Sequence, residues 1–194
     1  FTREVLPREL ELTGPTTRRG DLVLHYCDPV GIHPAMTGLL TKRALEMLDG
    51  SARPEETSLI VVGHGTGLNE KSTEAIQTQV EAIRAGETPF ARVLDAYMEE
   101  APYVADWRML TDTPNVVVVP FFIADGLHSY QDIPVLLGIE SEPTAAASQR
   151  EIFRQNPHRF GDRTLWYGSA IGTDPSLAGV IVDQVACFDE HYHP

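Results

Sequence analysis

Two short runs constrain this chain more than anything else in it. SLIVVG (58–63) and NVVVVPFF (115–122) are apolar at consecutive positions rather than at alternate ones. A strand with one wet face alternates polar and apolar residues, whereas an unbroken apolar run needs cover on both faces. Neither run approaches the roughly 20 residues that cross a bilayer as a helix. DLVLHY (21–26), ARVLDAYM (91–98) and RTLWYG (163–168) read as further strands. Between the strands lie helical patterns. EKSTEAIQTQVEAIRAG (70–86) sets Ala75, Ile76, Val80 and Ile83 near one face and closes at Gly86. The segments from Pro34 and from Pro175 each carry proline in a first turn. A shorter helix is expected over 101–110 with Pro102 in its first turn, and 130–139 reads as helical but broken at Pro134. Alternation of strand and helix predicts an α/β fold with a parallel sheet and helices on both faces.

The chain also repeats itself. Residues 22–48 align with 163–189 at one constant offset, setting Tyr26 against Tyr167, Gly31 against Gly172, Pro34 against Pro175 and Gly38 against Gly179. His33 falls opposite Asp174, so the copies have diverged. Residues 1–50 therefore read as the closing strand and helix of a first unit, and 55–191 as a complete second unit. The chain opens FTREVLPREL without an initiator Met, which suggests processing, trimming or a longer parent protein. The stretch 139–162 reads as a long irregular segment.

Three residues stand where an open parallel sheet gathers its ligands, just past the carboxyl ends of strands. His64 lies between two glycines directly after the first apolar run, and His128 lies in the glycine-containing loop after the second. Glu99 follows the strand at 91–98, with Glu100 beside it. Taken singly, each has an ordinary reading: a capping imidazole, a loop imidazole, and an acidic helix start favoured by the dipole. Taken together, two imidazoles and a carboxylate suit a borderline transition metal, or proton transfer near neutral pH.

Other chemistries fit less well. No glycine fingerprint for dinucleotides follows a strand, no phosphate loop with its lysine occurs, and no nucleophile elbow is present. The formal net charge of −13 argues against nucleic acid and anionic membranes as main partners. The two cysteines, Cys27 and Cys187, are far apart and form no CxxC pair, so a disulfide scaffold is not expected and a reducing, cytoplasmic setting is. His191 and His193 near the end of the chain read as solvated.

The segments LIVVGHGTGLNEKS, YMEEAP, VVVVPFFIADGLHSYQDIP and YGSAIGTDPSLAGVIVDQV resemble, in that order, the motifs of the sirohydrochlorin chelatases, the CbiX-like class II chelatases. The resemblance covers about 55–190 in full, and 22–48 resembles the tail of another copy. It implies a flavodoxin-like or Rossmann-like α/β fold of the class II chelatase type. It implies insertion of Co²⁺ or Fe²⁺ into sirohydrochlorin, on the way to cobalamin or sirohaem, with no organic cofactor. The family's two active-site histidines match His64 and His128, and its glutamate best matches Glu99, with Glu100 one position away. These three become the expected catalytic and metal-binding residues. Where many members carry basic residues after the second histidine, this chain has Ser129 and Tyr130.

Metal insertion asks that a hydrated ion be held and partly stripped, that the ring be bent toward it, and that two pyrrole protons leave. Imidazoles suit the first and third tasks. The family's substrate carries many carboxylates, so an acidic protein needs a local positive lip. Arg150, Arg154, His158, Arg159 and Arg163 cluster in sequence and are expected to supply it, unless they simply pair with nearby acids. Phe121, Phe122, Leu127 and Tyr130 are candidate apolar walls for the ring, although the two phenylalanines also read as core. The alternative function is a non-catalytic module that binds metal or tetrapyrrole, and an upstream segment or a second copy is an open partner.

Overall fold

β3 (Thr57–Gly63) and β5 (Asn115–Pro120) are hydrogen-bonded neighbours running in parallel. Every residue of β3 is buried, as is all of β5 beyond its first residue, so the unbroken apolar runs are covered on both faces. The structure, a computed structural model, describes residues 2, 4–65, 70–143 and 151–192. These form two compact units: Pro34–Asp174, and Phe1–His33 together with Pro175–Pro194.

The larger unit holds a five-stranded sheet in the order β4 (Arg92–Tyr97), β3, β5, β7 (Arg163–Tyr167), β6 (His158–Phe160). The first four strands are parallel and β6 is an antiparallel edge. Successive side chains of a strand point to opposite faces. Ile60, Val62, Val116, Val118, Leu165 and Tyr167 join one core cluster with Trp107, Ile133, Leu137 and Ile152. Their neighbours Leu59, Val61, Val117 and Val119 are equally buried. They face the other way, toward the side on which α2 (Ala35–Leu48) and α3 (Glu70–Ala85) pack against the sheet and each other. Trp107, on the short helix α4 (Trp107–Leu110), is fully buried and donates its indole N–H to the Leu137 carbonyl at 3.1 Å. The result is a mixed, mainly parallel sheet with helices on both sides.

Several elements differ from the sequence expectation. Pro102 does not start a helix. Its carbonyl accepts the Tyr97 N–H at 2.8 Å, which holds it in the loop after β4, and the helical turns begin only at Val104. Pro134 does not break a helix either. It sits in the first turn of α5 (Ile133–Leu136), where a missing N–H removes no intrahelical bond. A π-turn at His128–Asp132 leads into it. The stretch 139–162 is not irregular throughout, since it holds α6 (Glu151–Arg154) and the edge strand β6.

The smaller unit holds α1 (Val5–Glu9), a two-stranded antiparallel hairpin of β1 (Thr16–Arg19) and β2 (Leu22–His25), and α7 (Leu177–Tyr192). The strand expected at 21–26 thus pairs with a polar neighbour and stays outside the parallel sheet. The order strand, 3-10 turn, long helix occurs twice: β2, Val30–Ile32, α2, and β7, Ile171–Thr173, α7. Both instances follow the offset seen in the sequence. Among the described residues no helix is long and apolar enough to cross a membrane.

Candidate active site

In the strand order β4-β3-β5, the chain leaves β3 toward one neighbour and later returns to its other side. The crevice beyond the carboxyl ends of β3 and β5 is therefore a topological switch point, where open α/β sheets bind ligands. Three adjacent strands each deliver one polar residue there. His64 directly follows β3, Glu99 follows β4 by two residues, and His128 opens the π-turn after β5.

The two glycines around His64 have separate reasons. A Cβ at Gly63 would run into the side chain of Ile76, on the first turns of α3. Gly65 has a φ of +68°, and a Cβ there would overlap Tyr97 and approach Glu100 Cγ to 2.7 Å. Glycine accepts both demands. The backbone between them is pinned to β4: the His64 carbonyl accepts the N–H groups of Met98 and Glu99, each at 3.1 Å.

The His64 and His128 rings stand 4.9 Å apart between centroids, at 73° to one another. His64 Nε2 is 3.7 Å from Glu99 Oε1. Its Nδ1 is buried with no hydrogen-bond partner among the described residues. Both rings are partly open, with side-chain exposures of 34% and 45%, and Glu99 is exposed at 59%. The neighbouring Glu100 points elsewhere and accepts the Thr73 hydroxyl. The donor atoms of His64, His128 and Glu99 are not all within 4.8 Å of one another, so they do not form a closed cage.

One candidate residue escaped the sequence reading. Asp132 Oδ2 lies 2.7 Å from His128 Nδ1, four residues on along the same turn. This contact fixes which ring nitrogen of His128 is engaged and leaves Nε2 for chemistry. The i, i+4 spacing of His128 and Asp132 was the available signal.

The expected substrate residues separate. The Phe122 ring lies 6.0 Å from His128, and Tyr130 packs on Phe153 at 5.6 Å. Tyr130, Phe153 and Arg154 line a recess of about 490 Å³ with Asp125 and Thr173. Burial raises the Asp125 carboxyl above its ordinary pKa, partly offset by the Ala170 N–H that it accepts at 2.7 Å. Leu127 and Ile123 are exposed apolar residues in the same loop, at 64% and 70%. Arg159, by contrast, faces Thr164, which is in register with Asn115 at the start of β5. That is the amino end of the sheet, opposite the histidines. Arg163 is there too, donating to the carbonyls of Arg108 and Thr111. Arg150 lies outside the described residues.

Comparison with known proteins points one way. The CbiX family model matches residues 58–187. A probable sirohydrochlorin cobaltochelatase of Halobacterium salinarum is 32% identical over 203 aligned positions, which cover 96% of this chain and 67% of the relative. Among solved structures, a multi-domain protein of Deinococcus radiodurans with structural similarity to chelatases superposes with a TM-score of 0.67 at 25% identity. The match covers 95% of this chain, which spans only 38% of that larger protein. CbiX, the terminal enzyme for biosynthesis of siroheme in denitrifying bacteria, also gives a TM-score of 0.67, at 22% identity, over 96% of this chain and 70% of that one.

Proposed function

The chain belongs to the CbiX family, and we propose that it inserts Co²⁺ or Fe²⁺ into sirohydrochlorin. The observation that carries this reading is the pair of imidazoles 4.9 Å apart at the switch-point crevice. In the proposed reaction the ion is substrate. His64, His128 and Glu99 hold it through imidazole nitrogen and carboxylate oxygen, ligand types suited to cobalt and iron alike. A site that hands its ion on must keep open positions rather than close a four-ligand cage. The spread donors and half-exposed rings fit that requirement.

As the ion enters the ring, two pyrrole N–H bonds break, their electron pairs become nitrogen–metal bonds, and two protons leave. As the ion leaves His64 and His128, the imidazole lone pairs that held it take those protons and release them to solvent through the open mouth of the crevice. Asp132 orients His128 for this step. The exposed apolar residues Leu127 and Ile123, with Phe122, offer a surface for the macrocycle. Arg154 and Tyr130, in the adjoining recess, offer a positive charge and a hydroxyl for its carboxylates. We place residues 1–50 as the closing strand and helix of a first chelatase-like repeat and 55–191 as a complete second one. The recurrence of strand, 3-10 turn and helix supports that division.

The test is loss of free-macrocycle absorbance with Co²⁺ and Fe²⁺ assayed side by side. His64→Ala and His128→Ala are each expected to slow insertion by about 100-fold or more, the scale of a lost positioned proton acceptor. Full rates in both variants would refute the assigned site. Ion or macrocycle binding without any turnover in the unmodified chain would make the protein a binding module.

A further inference from the structure

We propose that His33, Asp183 and Cys187 form a second site for a divalent transition-metal ion of the Zn²⁺ or Co²⁺ class, remote in sequence from the active-site residues. All three lie in the smaller unit. His33 follows the 3-10 turn at Val30–Ile32 and is buried, while Asp183 and Cys187 sit four residues apart on α7, on one helix face. One donor atom from each lies within 4.8 Å of the other two. Donors bound at about 2.0–2.2 Å in a tetrahedral shell are about 3.4 Å apart. His33 Nε2 lies 3.4 Å from Asp183 Oδ2, so one edge of such a shell already exists. Nitrogen, oxygen and thiolate sulfur together select a borderline ion over Mg²⁺ or Ca²⁺.

The internal repeat supplies an independent reason. At the repeat offset, His33, Asp183 and Cys187 correspond to Asp174, Lys42 and Glu46. In that second triad the Lys42 ammonium lies 3.5 Å from Asp174 and 3.6 Å from Glu46. A cation is therefore built into the chain between two carboxylates. In the first triad the lysine position holds an aspartate, and every member is a metal ligand. A bound divalent ion would restore the positive charge that Lys42 supplies in the other copy. Cys187 also faces a cavity of about 810 Å³, shared with Cys27 and Asp28, which gives an ion and its remaining water ligand a way in. Binding would displace the thiol proton to solvent. It would also tie the segment ending at His33 to α7, within the same unit.

The experiment is titration of the chain with Co²⁺, read by the cobalt–thiolate charge-transfer absorption that imidazole and carboxylate ligands do not produce. One thiolate-bound ion per chain is expected. Cys187→Ser should abolish the band, and Asp183→Asn should weaken the affinity behind it by about tenfold or more. Both side chains are exposed, so neither change removes core packing. A combined His64→Ala/His128→Ala variant should keep the band, as should Cys27→Ser, which separates this site from the insertion chemistry. Absence of a thiolate band in the unmodified chain, or its survival in Cys187→Ser, overturns the proposal.

Discussion

The Asp132 carboxylate lies 2.7 Å from Nδ1 of His128, on the turn that delivers this imidazole to the crevice. The contact makes the two residues one unit, in which the carboxylate sets the ring's orientation and the nitrogen it presents. Partners of this kind are worth about 10–100-fold in affinity or activity at metal-handling sites. Asp132→Ala is accordingly expected to lower insertion by that range. Asp132→Asn keeps an oxygen near Nδ1 without the charge and should fall between the two. Because Asp132 acts through His128, its loss should lower kcat with little change in KM for the macrocycle. An unchanged kcat in Asp132→Ala would remove it from the mechanism.

Glu99 and Glu100 separate into two roles. Glu99 faces His64 at 3.7 Å, and Glu100 accepts the Thr73 hydroxyl. Glu99→Gln should weaken Co²⁺ binding at the active site by about tenfold or more, with little change in stability. Glu100→Gln should leave that affinity alone and cost about 1 kcal/mol of unfolding free energy, because a charge-assisted bond becomes a neutral one. Calorimetric titration and denaturant unfolding on the two variants check the assignment. Reversed results would shift the metal-facing carboxylate by one residue.

Gly65 is the position where the backbone leaves least choice. Its φ of +68° suits glycine, and a Cβ would overlap Tyr97. Gly65→Ala combines left-handed strain, about 1–3 kcal/mol, with a clash against a buried ring. The expected outcome is a lowered unfolding midpoint together with slower insertion, since the same backbone carries His64. A variant as stable and active as the unmodified chain would show that the loop can relax without cost.

Burial on two faces left a plain trace in the sequence, because it demands consecutive apolar residues in β3 and β5. The convergence of His64 and His128 was legible for a related reason: both follow the carboxyl ends of strands that such a fold sets side by side. What escaped notice was set by pairing rather than by pattern. β1 is four polar residues, TTRR, and β6 is only three residues long, HRF, so neither carries a period long enough to read. Asp132 was hidden because Pro134 reads as a breaker, although that proline sits in the first turn of α5, directly after the π-turn that carries His128 and Asp132. The arginines that cluster in sequence part company because α6, β6 and β7 run between the two ends of the sheet. Arg154 lines the recess beside Tyr130, while Arg159 and Arg163 lie at the amino end.

His158 gives stability a pH dependence with a definite sign. It sits on the edge strand β6, and its Nε2 is buried without a hydrogen-bond partner among the described residues. Burial pushes its pKa below the ordinary 6.5, and a hydrogen bond to the Ile152 backbone pulls partly the other way. The unfolded chain therefore binds this proton more readily than the folded one does. The stability that follows from keeping the ring neutral is fully present above pH 6.5 and is lost as pH falls through the lowered folded value. His158→Asn cannot take up that proton and should lose less stability than the unmodified chain on acidification from neutral pH. Denaturant unfolding at a series of pH values reads the difference in slope, which is insensitive to any constant cost of the substitution. Parallel curves for the two proteins would mean that the imidazole protonates in the folded chain as easily as in the unfolded one.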